Sequence, residues 1–211
     1  MKLPFSKDSS PKAKEPSSSL QTMKILHSES NCIELLSEAL FASIQHVPAH
    51  QPIVVVCVGT DRSTGDALGP LVGSQLKRLD LNGSGIHLYG TLDNPVHAMN
   101  LNDTLTTIYQ HYNNPYILAV DACLGQLTSV GCIQLGQGPV KPGAGVNKEL
   151  PPVGDMHVTG IVNVGGFMEY FVLQNTRLSL VMTMAETIAS SIHAALLMKR
   201  RWTPIPLGKI D

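Results

Sequence analysis

Six apolar residues in succession, Ile53 to Val58 (IVVVCV), constrain this chain more than any other stretch. A strand with one wet face alternates apolar and polar residues. An unbroken apolar run of this length, followed by turn residues, reads instead as a strand buried on both faces, the environment of a parallel sheet covered by helices. The run leads directly into GTDRSTGDALGP, Gly59 to Pro70, which carries two aspartates, an arginine and hydroxyl side chains. In open α/β sheets, the loop leaving the carboxyl end of a strand is where chemistry collects.

The flanking patterns support that reading. Ile33, Leu36, Leu40 and Ile44 recur at helical spacing after Ser28 or Ser30, and Pro48 and Pro52 end the segment. The pattern predicts a helix over 66–79, a strand over 86–89, a helix opened by Asn94-Pro95 and running to about His111, and a strand over 116–120. Residues 130–135 read as a strand on a short, antiparallel connection, 136–154 as a long loop, and 157–164 as a further strand. Two helices close the chain, over 167–174 and 177–200, the second with Leu178, Met182, Ala185, Ile188 and Ile192 on one face. Alternation of strand and helix predicts an α/β fold: a three-layer α/β/α sandwich around a mostly parallel, mixed sheet. Residues 1–22 are rich in Ser, Pro and Lys and read as a disordered tail, leaving 23–211 as a single domain.

Composition removes several function classes. The formal net charge is −1, without the basic excess that nucleic acid or an anionic membrane would favour. No apolar run approaches the ~20 residues of a membrane span, and the charged, Ser/Pro-rich start lacks the apolar core of a signal peptide. The four cysteines form no CxxC pair. They read as reduced structural thiols, and the expected location is the cytoplasm.

The candidate chemistry lies in two aspartates. The opening loop fits neither GxxxxGK[ST] nor GxGxxG, because Gly59, Gly65 and Gly69 are wrongly spaced and Asp66 stands where a phosphate loop has Lys. Asp66 alone reads as an acid in a helical first turn. Asp121 ends the apolar run YILAV, a costly position for a carboxylate that is neither paired nor functional. If the strands 53–58 and 116–120 are neighbours, the two carboxylates meet at one sheet edge and one of them holds its proton to higher pH. An acid and a base side by side can activate water and protonate a leaving group. Backbone N–H groups from Gly65 to Ala67 would steady the developing negative charge. The alternative is a divalent metal on Asp66, Asp121 and His157, the histidine of GDMHVTG. His157 reads equally well as a loop histidine bonded to a carbonyl. Thr60, Arg62, Gly65 and Asp93 complete the candidate substrate-binding set, with Arg62 also readable as a solvated loop residue and Asp93 as part of the turn before Asn94.

The segments VCVGTDRSTGDALGPLVG, YGTLDNPVHAMN, ILAVDACLG, KPGAGVNKELPPVGDMHVTGIVN and LQNTRLSLVMTMAETI together resemble the YyaC family of sporulation proteins. That family in turn looks like the germination endopeptidase that degrades small acid-soluble spore proteins. The resemblance is carried by Asp66-Ala67-Leu68-Gly69-Pro70, by Asp121-Ala122, and by PGAGVNKEL (142–150), a shorter form of that enzyme's glycine-rich segment. A more distant likeness is to the hydrogenase maturation proteases, with a phosphorylase/hydrolase-like sandwich and a nickel-recognising histidine for which His157 is the candidate. The resemblance implies an endopeptidase of the developing spore with Asp66 and Asp121 as its catalytic carboxylates. The implied partners are a protein or peptide substrate, small acid-soluble spore proteins among them, and a second copy of the chain. The implied alternatives are a metal-dependent peptidase and a binding protein without turnover.

Overall fold

A computed structural model describes residues 22–79, 86–143 and 150–202. The elements run β1 (Met23–Leu26), α1 (Cys32–Ile44), β2 (Ile53–Cys57), α2 (Leu68–Arg78), β3 (Ile86–Tyr89), α3 (Leu101–His111), β4 (Tyr116–Gly125), β5 (Cys132–Gln137), β6 (Met156–Val164), α4 (Glu169–Gln174) and α5 (Leu178–Trp202). The six strands form one sheet in the order β1-β5-β6-β4-β2-β3. Pairings β6–β4, β4–β2 and β2–β3 are parallel, whereas β5 runs antiparallel to both β1 and β6. The sheet is therefore mixed and mostly parallel, with β5 alone reversed.

The apolar run at β2 is explained by what covers it. Ile53, Val55 and Cys57 join a core with α1, α2 and α5, while Val54, Val56 and Val58 join a second core with Leu101, Leu105 and Ile108 of α3. Every residue of β2 is buried because helices cover both faces of the sheet. Complete burial of an aliphatic side chain contributes about 1.5–3 kcal/mol, so this central strand is a major source of stability. The helix α2 lies directly on the strand ends: a Cβ at Gly69 would meet the Val58 carbonyl oxygen at 2.0 Å.

Several boundaries differ from the sequence reading. The helix expected at Asn94-Pro95 begins at Leu101. Thr91 and Asn94 close a turn on each other, Val96 bridges to Val58, and the Asn100 side chain accepts from the His97 N–H while donating to the Pro95 carbonyl. β4 continues to Gly125, five residues past the predicted Val120, because β6 pairs with it along the added length. β1 was not expected at all; its register against β5 runs from Met23↔Leu135 to Leu26↔Cys132. The helix expected from Asp66 starts at Leu68, which leaves Asp66 in the preceding turn. The helix α5 is long and apolar enough by length and composition to cross a membrane. Of the face expected from the sequence, Ala185, Ile188 and Ile192 are buried, but Met182 is half-buried and Leu178 exposed; Val181 and Met184 take the inward positions instead and fill the core against α1 and α2. The expected tail, apart from Thr22, and residues 144–149 of the PGAGVNKEL segment lie outside the described residues.

Candidate active site at the sheet switch point

β2 and β4 are adjacent, yet the chain leaves them in opposite directions, toward β3 after β2 and toward β5 and β6 after β4. The departing loops open a crevice at that point. A cavity of about 630 Å³ occupies it, a volume typical of ligand sites. Val58, Gly59, Thr60, Arg62 and Asp66 line it from the end of β2, Asp121 to Leu124 from β4, and Glu169, Tyr170 and Leu173 from α4.

Gly59 makes the turn out of the sheet. Its φ of +148° suits glycine, and a Cβ there would lie 2.0 Å from the Asp66 carbonyl oxygen. The Thr60 N–H donates to that same oxygen (3.2 Å), folding the loop back on itself. Arg62 is exposed at the rim, with its N–H donating to Thr60 Oγ1 (3.3 Å). Gly65 is held from the far side: its N–H donates to the Leu173 carbonyl of α4 (2.9 Å). A contact between the first loop and a helix more than a hundred residues later thus places Asp66.

The two aspartates face this cavity together. Asp121 is 9% exposed, and its Oδ1 accepts from the Ala122 N–H at 2.8 Å. Burial pushes its carboxyl up to about 8; the bond from Ala122 opposes the shift, and the charge of Asp66 adds to it. Burial also raises Asp66, with the Ser63 hydroxyl the opposing influence. Among the described residues the buried Ser63 Oγ has no hydrogen-bond partner, so burial is the dominant influence on Asp66. Both carboxyls are therefore held above the ordinary carboxylate range, with Asp121 the more deeply buried of the two. Cys123 also lines the cavity, but burial raises its thiol to about 11, aided by Asp121 and opposed by a bond with Thr159 and by Lys24. A protonated thiol is a poor nucleophile.

The other sequence candidates divide. Thr60 and Arg62 reach the cavity; Gly65, Asp93 and His157 do not line it. Gly65 is buried against Leu173 and Thr176, and Asp93 is exposed in the turn before α3. His157 sits opposite Ala119 in register, two residues below the Asp121↔Thr159 pair. At ~3.3 Å per residue that is about 7 Å toward the opposite edge of the sheet. Its ring lies over Gly136, and Nδ1 donates to the Gly138 carbonyl (2.9 Å). Parallel pairing of β4 and β6 thus fixes His157 away from the pair. Among the described residues, no three His, Cys, Asp or Glu side chains converge as a metal-binding group. Two of the three expected oxyanion donors are committed: Gly65 N–H to the Leu173 carbonyl (2.9 Å), and Ala67 N–H to the Ser63 carbonyl (2.9 Å). Glu169, Tyr170 and Leu173 escaped the sequence reading because nothing near them in the chain marks them; only the docking of α4 brings them in.

Fold and cavity together define an α/β sandwich with two carboxylates, buried Asp121 and half-buried Asp66, in a cleft at the carboxyl edge of its sheet. The chain belongs to the family described as "Protein of unknown function (DUF1256)", whose model matches residues 24–191. It is 55% identical over 168 residues to "Uncharacterized protein YyaC" of Bacillus subtilis (strain 168), a match covering 80% of each chain.

Proposed function

We propose that this protein is a peptide-bond hydrolase that works through the Asp66–Asp121 pair. The observation that carries the reading is the unequal burial of two carboxylates on one cavity, which separates their affinities for a proton. Asp66, ionised, takes a proton from water as the water oxygen bonds to the peptide carbonyl carbon. Asp121, protonated, gives its proton to the carbonyl oxygen. Collapse of the tetrahedral intermediate breaks the C–N bond; the leaving nitrogen takes up the proton held on Asp66, and one hydroxyl of the carboxylic acid product returns its proton to Asp121, which restores the starting pair. Buried Asp121 offers the acid at neutral pH, where an exposed aspartate would have lost it. The motif likeness to the germination endopeptidase points to a protein of the developing spore as substrate, in that compartment's cytoplasm.

The test is incubation of the purified chain with small acid-soluble spore proteins, beside Asp66→Asn and Asp121→Asn, with fragments followed by mass spectrometry. Cleavage lost in both folded variants supports the reading. Undiminished cleavage by the variants overturns it, and specific binding without any fragment transfers the cavity to a non-catalytic role.

A further inference from the structure

The two central strands have unequal lengths, and the difference falls on the cavity. β2 pairs with β4 as far as Cys57↔Val120, and the Val58 N–H closes the ladder on the Val120 carbonyl (2.7 Å). At Gly59 the chain then turns out of the sheet. Among the described residues, β4 continues through Ala122, Cys123 and Leu124 with a strand partner, β6, on one side only, and these three residues line the cavity. Backbone groups alternate sides along a strand, so those of Ala122 point the same way as the Val120 carbonyl, toward the vacated side. The Ala122 N–H is capped there by Asp121 Oδ1. Between Cys123 and Leu124 the register against β6 shifts, with Val162 the extra residue on β6.

We infer that the peptide substrate binds as an added strand along the open edge of β4, from Ala122 to Gly125, in the place β2 leaves. This inference rests on the peptidase reading and specifies how its substrate is held. Extended polypeptide is the occupant whose own N–H and C=O groups match a sheet edge. Four residues at ~3.3 Å each give about 13 Å of edge, which engages roughly four substrate residues. Asp121 begins that edge, so the bound main chain runs past the carboxylate pair.

The walls on either side select the side chains. Leu173 packs with the core on the α1, α2 and α5 face, while Val140 and Leu150 pack against the core on the α3 face. All three line the cavity. Successive side chains of an added strand point to opposite faces, so both sets meet apolar walls. The preferred segment is therefore extended and apolar on both faces.

The experiment compares two decapeptide mixtures of Ala, Val, Leu, Ser and Thr, one with an ordinary backbone and one N-methylated at every second residue. Retention on the full chain is measured by mass spectrometry, for the wild type and for Asp66→Asn/Asp121→Asn, with cross-strand contacts read by NMR at the Ala122 and Leu124 amides, the two that alternation turns toward the open edge. The expected result is roughly tenfold or greater preference for the ordinary backbone, the loss that two or more missing hydrogen bonds bring, with contacts at those amides. Equal retention, no retention, or contacts elsewhere overturn the inference. Strand-wise binding without cleavage by the wild type leaves the inference standing and removes the peptidase reading. Cleavage of both mixtures alike keeps the peptidase and removes the added strand.

Discussion

At the scale of single residues, Asp121 governs the pH behaviour of this protein. Its folded pKa of about 8 lies above the ordinary carboxylate value of 3.8. In the unfolded chain the group ionises near that ordinary value, so between the two the folded state holds a proton that the unfolded state has lost. Stability therefore falls as pH rises across that window, by up to ~1.4 kcal/mol per pH unit, and levels off above it. Replacing Asp121 with Asn removes this loss: thermal unfolding of Asp121→Asn and wild type should converge near pH 4 and diverge by pH 8, with the variant the more stable. Under the proposed hydrolase reading, activity has the matching dependence. The rate should fall as pH rises through about 8, where Asp121 gives up the proton it donates, and each Asn variant should lose about 10²–10⁴ of the rate. A flat rate from pH 6 to 9 would remove Asp121 as the acid. The two aspartates were legible in the sequence because a carboxylate closing an apolar strand is expensive. Their unequal burial was not, since it follows from how the β2 loop and β4 pack.

At the scale of elements, close approach matters more than propensity. Ala is ordinarily the better helix former than Gly by ~1 kcal/mol. At Gly69, in the first turn of α2, a Cβ would collide with the Val58 backbone. Gly69→Ala should therefore destabilise the protein, by about 1–3 kcal/mol in denaturant unfolding, reversing the usual sign. The buried Leu173 of α4 gives a second case: Leu173→Ala should cost about 2–5 kcal/mol and lower the hydrolysis rate as well, since α4 supports the Asp66 loop through Gly65. A full loss of stability with an intact rate would separate α4 from the site. Long periodic segments such as α5 and the all-apolar β2 were legible from pattern alone. The Asn94-Pro95 helix start was misread because Val96 pairs with Val58, a tertiary bond that outweighs a local capping signal. β1 was missed because four residues with no alternation of their own form a strand only when β5 lies beside them.

At the scale of the whole molecule, one buried cluster runs from Ile25 in β1 through α1, β2, α2, β4, β5 and β6 to Leu196 in α5. Elements that share a core unfold together. Calorimetry should show a single transition whose midpoint coincides by near- and far-ultraviolet circular dichroism; two separated transitions would mean that the layers are independent. The sequence by itself determined the α/β class, the central buried strand and the two aspartates, because burial on both faces and the expense of a carboxylate are written in the residues at those positions. The tertiary structure alone decided which residues share the cavity. Strand order, the parallel register of β4 with β6 and the docking of α4 brought Glu169 and Tyr170 in and kept His157 out. Such choices depend on pairing between segments far apart in the chain, and no local pattern encodes them.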